Sequence, residues 1–271
     1  MIGIFDSGVG GLSVLRAIRA RLPGQSILYL GDQAHVPYGP RPAAEVRAFS
    51  EGVTRYLLGR GAQGIVVACN AASAVALHGL RRMFPETPFV GMEPAVKPAA
   101  ETTRSGVVGV LATPATFQGE LYASVVERFA GGVKVLQDIC PGLVGQVEAG
   151  DLEGPRTRAI LEKALQPMLA QGMDTVVLGC THYPFVIPLI QKIVGPDVRV
   201  IDPAPAIARQ TERLLAERAR LDGGVKQPEL VCLTSGPLEP FAALVPRLLG
   251  EACVPTRLGA VTWEGTELSG F

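Results

Sequence analysis

The sequence lacks an excess of either charge, and this absence narrows the range of partners. Its 271 residues contain 25 Lys and Arg against 25 Asp and Glu, so the formal net charge at pH 7 is zero. A broad basic surface, of the kind that binds nucleic acid or an anionic membrane, is therefore not indicated. We expect neither nucleic acid nor a membrane as a partner.

Long uninterrupted hydrophobic runs are also missing, although 48% of the residues are hydrophobic. The apolar segment 64–80 is interrupted by Asn70, Ser73 and His78. No run therefore approaches the roughly 18 apolar residues that a membrane-spanning helix needs. The chain enters the short apolar stretch 2–5 at once, without the basic lead and long apolar core of a signal peptide.

Cysteines are few and odd in number, with five in the whole chain. An odd count in a chain of this length argues against a disulfide scaffold. We therefore expect a cytoplasmic location, in which thiols stay reduced. The length is sufficient to bury a sizeable core, either as one large domain or as two smaller ones.

Short β-branched runs alternate with helical patterns, which is typical of parallel sheets covered by helices. In the first half, strands are predicted at residues 2–5, 26–30 and 89–92 and in a run ending at Cys69, with helices at 12–22 and 43–59. The pattern then restarts, with strands at 107–111 and 134–136 and in a run ending at Cys180, and with helices near 121–129 and 156–171. This repeat of architecture predicts two similar parallel-sheet α/β domains that face each other around a shared active site.

The tail of the chain does not fit a third copy of this pattern. Residues 204–220 have a helical period, and residues 230–233 and 256–261 are predicted strands. Because termini often lie close together in space, we expect the tail to return and complete the first domain. The predicted domains are therefore 1–97 together with about 207–271, and 98–206.

Cys69 and Cys180 stand out because each follows an apolar strand and precedes a predicted helix start. Thiols at this corner of two similar domains would face each other across a cleft. A helix N-terminus lowers the pKa of a thiol, so we expect both cysteines to be partly thiolate and exposed to the cleft. Such a pair suits a reaction that removes a proton from one face of a carbon and returns one to the other.

Polar residues near the two cysteines suggest what the cleft would bind. His182 lies two positions after Cys180 and could share a proton with it, and Asp6 ends the strand beside the strand of Cys69. Asp6 and Ser7 suit an amino acid, because a carboxylate meets an ammonium group while a hydroxyl and helix-start amides meet an anion. Further hydroxyls at the equivalent corners of the second half come from Thr113, Thr116 and Thr181.

Other interpretations of these residues are weaker. The glycine-rich segment 6–11 could bind phosphate, but it lacks the lysine of a phosphate loop and Asp6 would repel an anion. A metal site built from Cys69, Cys180 and His182 lacks the Cys-x-x-Cys or paired-histidine spacing of such sites. The remaining cysteines and histidines are interpreted as structural or surface residues; they are Cys140, Cys232, Cys253, His35 and His78.

Four stretches, residues 3–11, 31–39, 68–74 and 178–184, together carry a family resemblance. In these stretches the chain resembles the glutamate racemases of the cofactor-independent aspartate/glutamate racemase superfamily. The resemblance implies an enzyme that interconverts L- and D-glutamate to supply bacterial cell-wall synthesis. It implies no cofactor, neither pyridoxal phosphate nor a metal ion, and glutamate as the small-molecule partner.

The resemblance also assigns roles to individual residues. It makes Cys69 and Cys180 the two acid/base catalysts, one acting on each enantiomer. The other catalytic groups that it implies are Asp6, His182, Asp32 and Glu148. The substrate-binding residues that it implies are Asp6, Ser7, Tyr38, Gly39, Asn70, Ala71, Thr113, Thr116, Thr181 and His182.

Ala71 is a departure from the family pattern, which usually has threonine after Cys-Asn. One hydroxyl contact to the substrate carboxylate is therefore missing or supplied by another group. A single hydrogen bond of this kind is worth about 1 kcal/mol, so its loss would weaken binding without removing activity.

Alternatives to a glutamate racemase stay open at this point. An aspartate or other amino-acid racemase would share the pattern, because the pattern does not fix the length of the substrate side chain. A non-catalytic amino-acid-binding protein would also have two lobes but would not need two matched thiols. A cysteine hydrolase needs only one nucleophile. The oligomeric state is also open, with a homodimer as one option.

Overall fold

The computed structural model of the chain describes residues 1–129, 131–218 and 227–271. Its strands are β1 (Ile2–Asp6), β2 (Ile27–Gly31), β3 (Gly64–Val67), β4 (Phe89–Gly91), β5 (Val107–Ala112), β6 (Lys134–Asp138), β7 (Thr175–Gly179), β8 (Arg199–Ile201), β9 (Leu230–Thr234), β10 (Arg257–Ala260), β11 (Thr262–Glu264) and β12 (Glu267–Ser269). Its helices are α1 (Leu12–Arg21), α2 (Ala43–Gly59), α3 (Asn70–Met83), α4 (Val96–Thr102), α5 (Pro114–Gln118), α6 (Glu120–Phe129), α7 (Leu143–Glu148), α8 (Pro155–Leu169), α9 (Ile187–Val194), α10 (Ala204–Glu217) and α11 (Leu238–Leu249). A turn of 3-10 helix at Tyr183–Val186 precedes α9.

Two parallel sheets form the framework. The larger has the strand order β10-β9-β2-β1-β3-β4 and the smaller has the order β6-β5-β7-β8. Strands β1, β2, β3, β7 and β9 are buried along their whole length, as is usual for parallel sheets covered on both faces. The predicted α/β class with two parallel sheets is confirmed.

Helix α1 illustrates how apolar spacing builds the outer layers. Leu12, Leu15 and Ile18 recur every three residues and are buried, so they form one face of the helix. Helix α1 packs against α10 and α11. Because Leu15 is fully buried, its replacement by alanine would destabilise the fold by about 3 kcal/mol.

The strand register brings the carboxyl ends of the central strands level with one another. Phe5 of β1 pairs with Val67 of β3, and Ala112 of β5 pairs with Gly179 of β7. In both sheets the polypeptide leaves these paired strands toward a helix, and a cysteine lies in that connection after β3 and after β7. The register thus positions the two cysteines at equivalent places in the two sheets.

The tail strands join the larger sheet. Strand β9 pairs in parallel with β2, and β10 pairs with β9. The segment after β10 forms the antiparallel hairpin of β11 and β12, which packs against α2. The domain boundaries near residues 97 and 207 stay predictions.

Several elements differ from the sequence prediction. Strands β3 and β7 end before the cysteines rather than at them. The extended backbone of Gly119, with φ −73° and ψ 139°, separates the short helix α5 from α6. Helices α4, α7 and α11, strand β8 and the hairpin of β11 and β12 were not predicted. The helix predicted over 204–220 is described up to Glu217, and its predicted end at residues 219–220 lies outside the described residues.

Within the described ranges, no helix combines the length and the apolar character needed to cross a membrane.

Candidate active site

The two central cysteines line one small cavity between the sheets. Its volume is about 20 Å³, which is close to the space that one water molecule needs. The residues that line it are Ser7, Pro37, Tyr38, Gly39, Cys69, Asn70, Ala71, Thr113, Val144, Cys180, Thr181 and His182. Three larger cavities of about 410, 610 and 770 Å³ occur among the described residues, and none of them includes a cysteine. Size is therefore a poor guide here, and the chemistry of the lining points to the small cavity.

Cys69 is the N-cap residue of α3. Its Sγ atom accepts a hydrogen bond from the backbone N–H of Ala72 at 3.5 Å and lies 3.9 Å from Oγ of Ser7. Burial raises the pKa of the Cys69 thiol well above its usual value, and the nearby charge of Asp6 raises it further. The helix-start amide opposes these effects without overcoming them.

The expectation of exposed thiols is therefore wrong for both cysteines, and the expectation of a partly ionised thiol is wrong for Cys69. Only 4% of Cys69 and 5% of Cys180 are exposed to solvent. For Cys69, burial outweighs the helix N-terminus, and the neutral thiol is favoured. The sequence pattern identified the corner where each cysteine lies but not how completely the folded chain buries it.

Cys180 has a different environment, because its side chain begins a hydrogen-bonded chain that continues through His182 to Glu148. Its Sγ atom lies 3.8 Å from Nδ1 of His182, and Nε2 of His182 lies 2.6 Å from Oε1 of Glu148. Burial lowers the pKa of His182, but the hydrogen bonds to Cys180 and Glu148 raise it more, so it lies well above its usual value. His182 is consequently favoured as an imidazolium.

Glu148 is the partner that holds this charge, although it does not line the cavity. Burial raises its pKa, but hydrogen bonds from His182 and the imidazolium charge lower it more, so the net pKa lies below the usual value. Its carboxylate also accepts hydrogen bonds from the backbone N–H of Val9 at 2.8 Å and from Nε2 of Gln33 at 2.7 Å. Glu148 therefore acts on the cavity through His182.

Asp6 lies behind the cavity wall rather than on it. It is fully buried, and its Oδ2 accepts backbone N–H bonds from Gly11 at 2.9 Å and Gly8 at 3.3 Å. The hydroxyl of Thr181, which does line the cavity, donates to Oδ1 at 3.3 Å. Burial raises the pKa of Asp6, although the positive charge of His182 lowers it in part. As placed here, Asp6 orients Thr181 and influences Cys69.

Asp32 is also outside the cavity and is separated from it by Tyr38, which lines the wall. Its Oδ2 accepts a hydrogen bond from the hydroxyl of Tyr38 at 2.6 Å and contacts Nδ1 of His35 at 2.9 Å. Its Oδ1 accepts from the hydroxyl of Ser235 at 2.5 Å and from Nε1 of Trp263 at 2.7 Å. Asp32 thus joins the tail of the chain to Tyr38, which forms part of the cavity wall.

Asn70 is the polar residue of the wall whose side chain is left unsatisfied. Its Oδ1 and Nδ2 atoms are both buried, and neither has a hydrogen-bond partner among the described residues. A buried amide without partners is costly, typically by 1–3 kcal/mol, so a polar ligand in the cavity would relieve that cost. On the other wall, Oγ1 of Thr113 lies 3.1 Å from Oγ1 of Thr116, which is set back from the lining.

The structure adds residues that the sequence did not single out. Val144 of α7 and Pro37 line the cavity, and Gln33 contacts Glu148. Pro37 and Gln33 fall inside the stretch 31–39 that carries part of the family resemblance, whereas no sequence pattern around Val144 indicates a role in the site. No cluster of three or more metal-ligating side chains occurs in the described part of the chain, so the weaker metal interpretation gains no support.

Comparisons with known proteins relate this chain to racemases. The family model described as Asp/Glu/Hydantoin racemase matches residues 12–211. The chain is 56% identical over 223 residues to a glutamate racemase of Pseudomonas paraeruginosa, covering 82% of this chain and 84% of the relative. It is 51% identical over 248 residues to a glutamate racemase of Roseiflexus, covering 91% of each.

Solved structures of glutamate racemases have a similar fold. A glutamate racemase isoform from Bacillus anthracis superposes with a TM-score of 0.84 at 31% identity, covering 98% of each chain. The glutamate racemase of Escherichia coli, solved with L-glutamate and an activator, superposes with a TM-score of 0.85 at 31% identity, covering 97% of this chain and 99% of that one.

Proposed function

The chain belongs to the Asp/Glu/hydantoin racemase family, and from this premise we propose that it interconverts L- and D-glutamate by proton transfer between two thiols. The observation that carries the proposal is the presence of Cys69 and Cys180 on the wall of one cavity. The D-glutamate formed would supply peptidoglycan synthesis, as the family resemblance implies.

The chemistry is a pair of proton transfers on opposite faces of one carbon. A thiolate on one side removes the α-proton, so an S–H bond forms and the C–H electron pair remains on the substrate as a carbanion. The thiol on the other side then gives its proton to that carbon and becomes a thiolate. Each turnover leaves the two sulfurs with exchanged protonation, and the reverse reaction uses the same groups in exchanged roles.

The two sides of the cavity suit different halves of this cycle. Burial favours the neutral form of Cys69, which is ready to donate a proton. The imidazolium of His182 places a positive charge 3.8 Å from the sulfur of Cys180, where it would stabilise a thiolate. Glu148 keeps that positive charge in place.

The carbanion requires that the substrate carboxylate be held by hydrogen-bond donors, which spread the developing charge. Donors available on the wall are the unpartnered amide of Asn70 and the hydroxyl of Ser7, and the Thr181 hydroxyl would join them by turning its proton from Asp6 to the substrate. These groups lie in segments that follow strands of both sheets, so the substrate would bind between the two sheets. Holding both thiols within reach of one carbon is the positional contribution that an enclosed site makes.

Substrate entry requires the cavity to widen, because about 20 Å³ is far less than the volume of an amino acid. Beside the cavity, the backbone N–H of Ala115 donates to the carbonyl oxygen of Gly39, a lining residue, at 3.2 Å. This hydrogen bond joins the segment after β2 to the start of α5. We expect it to break when glutamate enters and to form again when the site closes.

Loss of optical activity, followed by circular dichroism, tests the reaction and its substrate together. Initial rates on L-glutamate should exceed those on L-aspartate, and the reaction should proceed without added cofactor. Absence of racemisation of either glutamate enantiomer by the folded protein would refute the function.

Alanine variants test the assignment of the two thiols. Cys69→Ala and Cys180→Ala should each abolish racemisation. The matched control is Cys253→Ala, which removes a buried thiol outside the cavity and should leave the rate near that of the wild type. Full activity in either of the first two variants would contradict the two-thiol mechanism.

A further inference from the structure

We propose that Gln33 is a positioning residue that fixes Glu148 and, through Glu148, sets His182 against Cys180. This inference rests on the proposed racemase function and deepens it. It also implies that the tail of the chain supports one thiol of the pair, because Gln33 is itself held by residues of the tail.

The first step concerns how the Glu148 carboxylate is held. Its Oε1 is shared by Nε2 of His182 at 2.6 Å and the backbone N–H of Val9 at 2.8 Å. Its Oε2 accepts a hydrogen bond from Nε2 of Gln33 at 2.7 Å. Since only 12% of the Glu148 side chain is exposed, water is a poor substitute for Gln33 at that oxygen.

The second step is that the tail determines which way the Gln33 amide points. The hydroxyl of Thr234, at the end of β9, donates to Oε1 of Gln33 at 2.8 Å. The same hydroxyl oxygen accepts the backbone N–H of Gly236 at 2.9 Å. The hydroxyl proton therefore points away from Gly236 and is available to Gln33. With Oε1 occupied by this donor, Nε2 of Gln33 must face Glu148.

The third step is steric. A Cβ atom built on Gly236 would lie 2.8 Å from Cβ of Gln33, so the glycine allows the tail to pack directly against Gln33. Thr234 is fully buried, and its strand pairs with β2, which ends two residues before Gln33. Gln33 is therefore constrained by hydrogen bonding on one side and by packing on another.

The consequence should fall on one thiol. Gln33 connects to Cys180 through Glu148 and His182, whereas Cys69 contacts Ser7 and the start of α3 instead. Removing the Gln33 hydrogen bond would let the carboxylate turn away from His182. The transition state for proton transfer at Cys180 would then rise in energy, while the one at Cys69 would change little.

The test variant is Gln33→Met, which keeps the length of the side chain but removes both of its hydrogen bonds. We expect kcat/KM to fall about tenfold, in keeping with the loss of a hydrogen bond to a charged group. The fall must be equal in the two directions, because the enantiomers have equal free energies. Catalytic rate alone therefore does not show which thiol is affected.

The discriminating measurement is the isotope effect on kcat/KM with α-deuterated glutamate, taken separately for each enantiomer. For the enantiomer that Cys180 deprotonates, the isotope effect should rise, because transfer at Cys180 becomes more rate-limiting. For the other enantiomer the isotope effect should fall, because proton transfer at Cys69 becomes less rate-limiting. Opposite changes are not expected if Gln33 only supports the fold.

Two further variants test the inference without relying on Gln33→Met alone. Gly236→Ala should displace Gln33 without altering its chemistry and should shift the two isotope effects in the same opposite senses. Gln137→Met is the matched control, because Gln137 donates a hydrogen bond to Tyr122 and neither residue lines the cavity, and it should leave both isotope effects unchanged.

Wild-type values of kcat/KM in both Gln33→Met and Gly236→Ala would overturn the inference. It would also be overturned by isotope effects that stay fixed or move together in a folded, slowed variant. Should Gln33→Met fail to fold, as judged by circular dichroism, the Gly236→Ala result decides. Failure of the proposed function would be distinct, since the wild-type protein itself would then not racemise glutamate.

Discussion

Replacing Glu148 by glutamine should slow racemisation about tenfold. It should also shift the basic limb of the pH profile, where activity declines as pH rises, to lower pH. The substitution keeps the length of the side chain, so an oxygen can still accept from His182 and Val9, which now lie 2.6 and 2.8 Å away. What is lost is the negative charge. A hydrogen bond to a charged group is worth about 1.5–3 kcal/mol and a neutral one about 0.5–1.5 kcal/mol. The midpoints of these ranges differ by about 1.3 kcal/mol, which corresponds to a factor of about ten in rate.

The direction of the pH effect follows from His182. Its pKa is raised because the hydrogen bonds to Cys180 and Glu148 outweigh burial, so the imidazolium persists above the usual titration range of histidine. A neutral partner lowers that pKa. If the imidazolium supports the thiolate of Cys180, activity must decline at a lower pH in the variant than in the wild type.

The assay is kcat/KM for both glutamate enantiomers by circular dichroism across a pH series. The matched control is Glu153→Gln, because Glu153 pairs with Lys192 at the exposed surface and such pairs contribute little. Its profile should coincide with that of the wild type. A Glu148→Gln profile with an unchanged basic limb and an undiminished rate would refute the role given to the His182–Glu148 pair.

Three other changes have defined outcomes. Ala71→Thr adds a hydroxyl to the cavity wall and should lower KM for glutamate about fivefold through one new hydrogen bond; an unchanged KM would show that the missing hydroxyl is not needed. Trp263→Phe removes the 2.7 Å bond to Asp32 and should lower Tm by roughly 5 °C in a thermal melt, whereas an unchanged Tm would show that Asp32 is held without it. Asp174→Asn should cost about 1 kcal/mol in urea unfolding at neutral pH. The Asp174 pKa is lowered to about 2 because hydrogen bonds from Thr103, Ser105 and Arg104 outweigh burial, so this difference should vanish as pH falls from about 4 to 2, and a difference that persists would be contrary evidence.

The framework was predictable because its signals are local. The apolar runs that became β1, β2 and β7 are short, β-branched and bounded by glycine or polar residues, and helix α2 has the bounds that its pattern predicts. The hairpin of β11 and β12 was missed because its strands have three residues each, which is too short for an alternating pattern.

The site was predictable only in part, because much of it depends on distant pairings. Cys69 and Cys180 could be singled out from the strand-to-helix corners that they share. The contact between Gln33 and Glu148 joins positions 115 residues apart and follows from no local pattern. The pKa of Cys69 could not be foreseen either, since burial in the folded molecule reverses the effect of its own helix.

The most direct test of the two-thiol account is the fate of the α-proton during racemisation in D2O. Each enantiomer of glutamate is incubated with the enzyme, and the α-carbon of the product is examined by NMR during the first turnovers. The account predicts that the product enantiomer carries solvent deuterium at that carbon, since its new hydrogen comes from the opposite thiol. Product that forms with its original α-proton would contradict it.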